Sequence, residues 1–309
     1  MKHVIPRLFR ERYGKILGKE KNIFIEYCQK PLRKSIRINE LKADVDDVIK
    51  RLSSYGWKLE KIPWTKAGYW VSYPEGEQVG NTLEHFMGYY YVQEAASMIP
   101  PILLDPDESD KILDMAAAPG SKTSQLADTM KNNGTIIAND VSIERIKVLR
   151  FNLEKLGVMN TIISRMDGRS FSRFENKFDA VMLDAPCSSE GIIRKDWKAL
   201  SKWSIRFIMG MSYLQKQLIS AAVSATKKGG VIVYSTCTLA PEENEEVIDY
   251  AVKNFGLKVE KVRPKALKFR KGIREWKGKK YDKEVENALR IWPHDNDTEG
   301  FFVAKLRKV

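Results

Sequence analysis

From about residue 105 to Leu306 the chain repeats one unit: a short apolar run, a turn of small residues, and a helical stretch. Lys111–Asp114 leads into a helix expected over Ser121–Met130. Gly134–Asp140 precedes a helix over Ile143–Leu156, with Gly157 as its C-cap. Asn160–Ser164 and Phe178–Asp184 follow, then a long helix over Ile205–Thr226, the run Val231–Ser235, a helix opened by Pro241-Glu242-Glu243, and a last strand over Gly300–Leu306. Runs this short and this apolar, alternating with helices, fit a parallel sheet with right-handed crossovers. The expected fold class is α/β, Rossmann-like.

The first of these turns carries the most chemistry. Asp114-Met115-Ala116-Ala117-Ala118-Pro119-Gly120-Ser121-Lys122-Thr123 passes from an acidic strand end through small residues into a helix. Small side chains let a ligand touch backbone, and the first amides of the helix point at it. A phosphate loop needs Gly directly before Lys, but Ser121 separates Gly120 from Lys122 and Met115 stands in place of the first Gly. The dinucleotide fingerprint is absent as well. A turn of alanines suits a ligand with an amino-acid end, and S-adenosylmethionine is the expected cofactor. Asp140 stands at the end of the second strand, where a ribose diol is held in such sheets. Asp167, just past the third strand, is placed to accept from an adenine amino group. A single aspartate is most often a cap or turn residue. Asp114, Asp140, Asp167 and Asp184 in phase along one sheet edge are harder to explain that way.

Two further strands run into cysteines: Asp184-Ala185-Pro186-Cys187 and Ser235-Thr236-Cys237. If these strands are neighbours, two thiols meet beside the cofactor cradle and become candidates for covalent chemistry. A helix start a few residues after Cys237 favours it as the anion. The third cysteine, Cys28, reads as a small apolar core residue. Wide spacing and the lack of a C-x-x-C pair argue against a metal site or disulfides, and for a reducing, cytoplasmic setting. The chain carries 53 Lys and Arg against 40 Asp and Glu, a formal charge of +13, which points to a polyanionic partner, nucleic acid before membrane. No apolar run is long enough to cross a bilayer, and Met1–Arg7 has no leader pattern.

Residues 1–104 read as an N-terminal α+β RNA-binding module and 105–309 as the second domain. Arg7–Tyr13 starts an amphipathic helix that continues towards Cys28. Pro31–Asn39 alternates as a half-exposed strand whose wet face carries Arg37. A helix over Val45–Ser54 and strands at Lys58–Ile62 and Tyr69–Tyr73 complete a small unit that resembles part of an RNA-recognition fold without its aromatic signatures. Tyr89-Tyr90-Tyr91 favours packing between domains over base stacking and leads into a helix ending before Pro100-Pro101. Between Lys261 and Lys283 lie eleven basic and two acidic residues, with Phe269, Trp276 and Tyr281 interleaved. The expectation there is a flexible arm that grips phosphates.

Taken together, Ala116–Thr123, Asp184-Ala185-Pro186-Cys187-Ser188, Ser235-Thr236-Cys237 through Asn244, and Arg290–His294 with Asp297–Phe302 resemble the Nop2/Sun family of RNA cytosine-5 methyltransferases. The resemblance runs from about Arg33 to the end. It implies a class I methyltransferase sheet of seven strands with the last antiparallel, S-adenosylmethionine as donor, and an RNA substrate. Carried onto this sequence, the family's cofactor contacts fall on Ala116, Ala117, Ala118, Pro119, Gly120, Ser121, Lys122, Asp140, Arg145, Asp167 and Asp184. Its nucleophile falls on Cys237 and its product-release cysteine on Cys187. Asp184 is the expected proton donor to the base if burial keeps it protonated, and Lys122 the group that orients the base or stabilises charge. Transfer RNA is the first expectation for the substrate and ribosomal RNA the second. A non-catalytic RNA-binding or assembly factor on the same scaffold is the alternative from another class. Neither an obligate protein partner nor a metal is expected.

Overall fold

The computed structural model describes residues 5–309; the first four residues of the stretch read for a leader lie outside the described residues. Two helices open it, α1 (Arg7–Leu17) and α2 (Lys21–Gln29). Their apolar face packs on the far half of the chain: Phe9, Tyr13, Phe24 and Cys28 interlock with Ile193, Leu239 and Trp292. Phe9, Tyr13 and Phe24 are fully buried, each worth roughly 1.5–3 kcal/mol. The N-terminal helices are thereby fastened to the loops at the sheet's carboxyl edge.

The small unit comprises β1 (Lys34–Ile38), α3 (Val45–Ser54), β2 (Lys58–Lys61), β3 (Gly68–Ser72), the single-turn α4 (Leu83–Phe86) and β4 (Tyr90–Val92). The strands pair antiparallel in the order β2-β3-β1-β4. This split β-α-β-β-α-β arrangement agrees with the RNA-recognition-like shape read from the sequence. Asp44 caps α3 by accepting from the amides of Asp46 and Asp47, and Val48 and Leu52, one turn apart, bury its inner face. Arg37 does not lie on a wet face. Ser35, Arg37 and Asn39 are buried, because the side of β1 opposite Ile36 and Ile38 is covered by the second domain. Arg37 Nη2 donates to Ser124 Oγ at 2.8 Å, and Asn39 Nδ2 to the Leu156 carbonyl at 2.8 Å. Alternation marks two unlike faces, but only the neighbouring domain decides whether the polar one is wet.

The helix expected before Pro100-Pro101 instead starts there as α5 (Ile99–Leu104). Proline in a first turn gives up an amide that has no helical partner anyway. The large sheet follows with β5 (Lys111–Asp114), α6 (Ser121–Thr129), β6 (Thr135–Asn139), α7 (Ile143–Lys155), β7 (Thr161–Ser164), β8 (Phe178–Asp184), the short α8 (Lys198–Ser201), α9 (Ile205–Ala225), β9 (Thr226–Thr236) and α10 (Glu245–Phe255). The rest is β10 (Lys258–Val259), β11 (Arg270–Lys271), a β12–β13 hairpin (Glu275–Trp276, Lys279–Lys280), β14 (Leu289–Ile291), the short α11 (Pro293–Asn296) and β15 (Phe301–Arg307).

The order β7-β6-β5-β8-β9-β15-β14 forms the seven-stranded sheet, parallel from β7 to β9, with β15 antiparallel to β9. β10 and β11 widen it to nine strands. One face packs on α9 and α10 through Leu218, Ile219, Ala222, Val247 and Ile248. The other packs on α5 and α6 through Ile99, Leu103, Leu126 and Ala127, joined by Trp64 and Trp70 of the small unit.

The basic stretch is not a free arm. It supplies β11 and the β12–β13 hairpin, with Trp276 and Tyr281 buried and Arg270 bridging Asp295 and Glu20. Its planar groups were therefore core anchors, and the exposed lysines between them are the solvated remainder. Glu242 and Glu243 precede α10 instead of opening it, and both are buried in polar networks.

Candidate active site

The strands β8 and β9 run side by side in parallel, with Asp184 opposite Ser235. Their chain continuations therefore leave the sheet together. Cys187 Sγ and Cys237 Sγ lie 3.3 Å apart. The hydrogen bond between them lowers the Cys237 thiol below its ordinary value; burial and Asp184 oppose that shift, while Ser189 and Lys122 support it. Cys187 is pushed the other way, well above the ordinary range, by the same hydrogen bond and by burial. The lowering at Cys237 follows from its sulfur neighbour, Ser189 and Lys122; α10 begins only at Glu245. Cys28 behaves as expected, buried and raised to about 12 by burial.

Lys122, in the first turn of α6, donates to Asp184 Oδ2 at 2.6 Å, and Ser235 Oγ donates to Asp184 Oδ1 at 2.7 Å. Burial works against the Lys122 charge, but Asp184 outweighs it and holds the ammonium above its ordinary value. Asp184 thus accepts on both carboxylate oxygens, from Lys122 and from Ser235. Asp114 is the carboxyl that burial raises, to about 7; it accepts from Thr123 Oγ1 at 2.7 Å and pins the start of α6 to the end of β5.

A cavity of about 410 Å³ opens next to the sulfurs. Ala116, Ala118, Asp140, Arg145, Asp167 and Asp184 line it together with both cysteines. Ala117, Pro119, Gly120, Ser121 and Lys122 do not line it. Ala117 packs against Leu149 and Leu153, and Gly120, at φ +103°, closes the turn through its amide to the Ala117 carbonyl at 2.8 Å. A Cβ on Gly120 would sit 3.0 Å from Leu149 Cδ1, so the glycine brings turn and α7 together.

These residues fit S-adenosylmethionine. The buried Asp140 Oδ2 accepts no hydrogen bond although Arg145 Nη1 is 3.1 Å away, which leaves a carboxylate oxygen suited to a ribose diol. Asp167 is paired with Arg169, which lowers its carboxyl, and lines the far side of the cavity.

The sequence reading missed the polar framework behind the sulfurs. Glu190 accepts from Tyr13 of α1, from Trp203 Nε1 at 2.6 Å and from Thr238 Oγ1 at 3.0 Å. Arg12 and Trp276 both bond Glu242. Arg290 bonds Glu245 at 2.8 Å and also the Leu239 carbonyl. The run Pro241-Glu242-Glu243-Asn244-Glu245 was itself the available signal, being too acidic for the apolar strand end it follows. Among the described residues there is no cluster suited to a metal ion and no helix long and apolar enough to cross a membrane.

The family model of 16S rRNA methyltransferase RsmB/F matches residues 101–307, and that of the N-terminal domain of 16S rRNA methyltransferase RsmF matches residues 5–95. The chain belongs to the RsmB/F, or Nop2/Sun, family of RNA cytosine-5 methyltransferases. Within that family it is 50% identical over 300 residues to the tRNA (cytosine(49)-C(5))-methyltransferase of Pyrococcus abyssi, covering 96% of this chain and 94% of that protein. It is 46% identical over 290 residues to ribosomal RNA small subunit methyltransferase F of Vibrio atlanticus, covering 93% of this chain but 60% of that one. A methyltransferase homologue from Pyrococcus horikoshii superposes with a TM-score of 0.86 at 38% identity, over 98% of this chain and 95% of that one. NSun6 from the same organism, solved with SFG, superposes with a TM-score of 0.85 at 27% identity and 98% coverage of both chains. An RsmB/F methyltransferase with two strand-end cysteines has the components for thiol-mediated methyl transfer.

Proposed function

We propose that this RsmB/F methyltransferase modifies C5 of a cytidine in tRNA, with S-adenosylmethionine as donor and Cys237 as nucleophile. The observation that carries the reading is the 3.3 Å sulfur pair at the rim of the cavity lined by Asp140 and Asp184. Ala116, Ala118, Asp140, Arg145 and Asp167 hold the cofactor, which supplies an electrophilic methyl group when bound.

Cytosine C5 is a poor nucleophile. Addition of the Cys237 thiolate to C6 makes C5 enamine-like, so that it takes the methyl group, and the covalent step divides one hard displacement into easier ones. Asp184 accepts from the exocyclic amine of the base, while the Lys122 ammonium stabilises the negative charge that develops on the ring. A base then takes the C5 proton, the C5–C6 double bond re-forms, and the C6–S bond breaks to release Cys237 as its thiolate, with Cys187 assisting release. A cytidine in a duplex must be flipped out to reach this rim. Residues 1–104 supply RNA-binding surface to the methyltransferase part, 105–309, and the cytoplasm is the setting.

Support for tRNA over rRNA lies in identity: the chain is 50% identical to the Pyrococcus tRNA enzyme and 46% identical to the Vibrio ribosomal enzyme, which it spans to 60% of that enzyme's length. The test is methyl incorporation into bulk tRNA and rRNA, with bisulfite mapping of the product. Cys237→Ala abolishes incorporation with cofactor binding retained, and Cys187→Ala accumulates an RNA–protein adduct stable to denaturing electrophoresis. Normal turnover by Cys237→Ala overturns the nucleophile, and methylation confined to rRNA overturns the substrate.

A further inference from the structure

Two thiols 3.3 Å apart share a single proton once one of them ionises. The groups behind them are not symmetric. Ser188 and Thr238, the residues that follow the two cysteines, bond each other through their hydroxyls at 2.8 Å. Glu243, which is fully buried, accepts from the Ser188 hydroxyl, from the Ser188 amide at 2.9 Å and from Gln215 Nε2 at 2.9 Å. Gln215 in turn donates to the Pro186 carbonyl at 2.8 Å, so the Cys187 loop is held on both sides by one carboxylate and its partner. Lys122 stands on the opposite side, paired with Asp184.

We propose that Glu243 is a positioning residue that keeps the shared proton on Cys187 and thereby leaves Cys237 as the attacking sulfur. The inference rests on the thiol chemistry proposed above and deepens it. A negative charge behind Cys187 disfavours a thiolate there, and a positive charge near Cys237 favours one. The charge effects run in that direction: Glu243 adds to the rise at Cys187, behind the hydrogen bond that Cys187 donates to Cys237, burial and the Cys237 charge, and Lys122 adds to the fall at Cys237. The groups facing Glu243 are Ser188 and Thr238 on the cysteine loops, Gln215 on α9, Glu190, and Tyr234 of β9, which donates to the Glu243 carbonyl. Around the sulfurs stand Lys122, Asp184, Ser189 and Glu299. Burial and Glu190 raise Glu243 to about 7 against its hydrogen bonds, so its charge is present above that pH and lost below it.

The test is iodoacetamide alkylation of each cysteine in the folded protein without RNA, followed by mass spectrometry across pH. In the wild type at pH 8, Cys237 reacts first, by about tenfold or more, as expected where one thiolate is favoured by at least about one pH unit. Glu243→Gln keeps the volume and removes the charge; Cys187 then ionises more readily and the ratio falls towards one. Glu243→Asp, which retains the charge, restores the preference for Cys237. An unchanged ratio in Glu243→Gln overturns the proposal. So does loss of the preference in Glu243→Asp at a wild-type thermal midpoint, because the role is then steric. If Glu243→Gln does not fold, the wild type decides: the Cys237 preference must shrink below about pH 7, where Glu243 gains its proton, and a constant ratio there overturns the proposal. A ratio that responds in a protein unable to methylate any RNA sinks the proposed reaction and leaves the positioning role standing.

Discussion

Replacing Arg12 by Met isolates what fastens the first helix to the site. Arg12 grips both oxygens of Glu242, and the two side chains are 4% and 5% exposed. Burial alone would raise the Glu242 carboxyl, yet the Arg12 hydrogen bond and charge hold it at about 2, against an ordinary 4.5. That difference of about 2.5 pH units corresponds to roughly 3 kcal/mol of stability at pH 7. It matches the roughly 3–5 kcal/mol lost on breaking a buried pair by removing one partner. The folded-state value lies below the unfolded one, so the contribution is present above about pH 4.5 and lost as pH falls towards about 2. At pH 3.5 about 2 kcal/mol of it remains. The assay is urea unfolding of wild type, Arg12→Met, Glu242→Gln and the double variant at pH 7 and 3.5. The reasoning fails if Arg12→Met costs less than about 1 kcal/mol at pH 7, if the double-mutant cycle shows no coupling, or if the cost grows on acidification.

Arg37→Met is expected to cost less than Arg12→Met in the same assay, because buried Arg37 makes one hydrogen bond, leaves Nε and Nη1 without a hydrogen-bond partner and meets Asp128 only at 3.9 Å; an equal or larger cost refutes this. Gly191→Ala places a Cβ against the Gly300 carbonyl and 2.8 Å from the Cys237 carbonyl oxygen, backbone groups that cannot step aside. It should lower stability by about 1–3 kcal/mol and depress turnover, read from the thermal midpoint and methyl incorporation together. Asp140→Ala removes the carboxylate proposed to take the ribose diol and should weaken S-adenosylmethionine binding by about 10–100-fold in calorimetry with RNA affinity unchanged; wild-type cofactor affinity would show that Asp140 does not hold the ribose.

Much of this protein was legible in its residues because the signals were local. Apolar runs bounded by Gly, Pro and acids placed β5, β6, β8 and α9 within a residue or two, since a strand buried on both faces and the turn after it are each written in a few adjacent side chains. Asp140 and Asp184 were found for the same reason: they stand directly at strand ends. The cysteine pair was legible only conditionally, given that β8 and β9 pair. Register then did the rest, because setting Asp184 opposite Ser235 brings Cys187 and Cys237 off the sheet together. Tertiary structure alone decided the partners of charged residues. Arg37 has the pattern of an exposed strand residue, yet the second domain covers it. Trp276 and Tyr281 look like base-stacking rings in a basic arm, yet they anchor that arm to the core. Glu242 and Glu243 look like helix-start acids, yet one holds α1 through Arg12 and the other holds the Cys187 loop. A charge's role depends on what desolvates it and what lies within a few ångströms, and those neighbours here come from as far as 274 positions away in the chain.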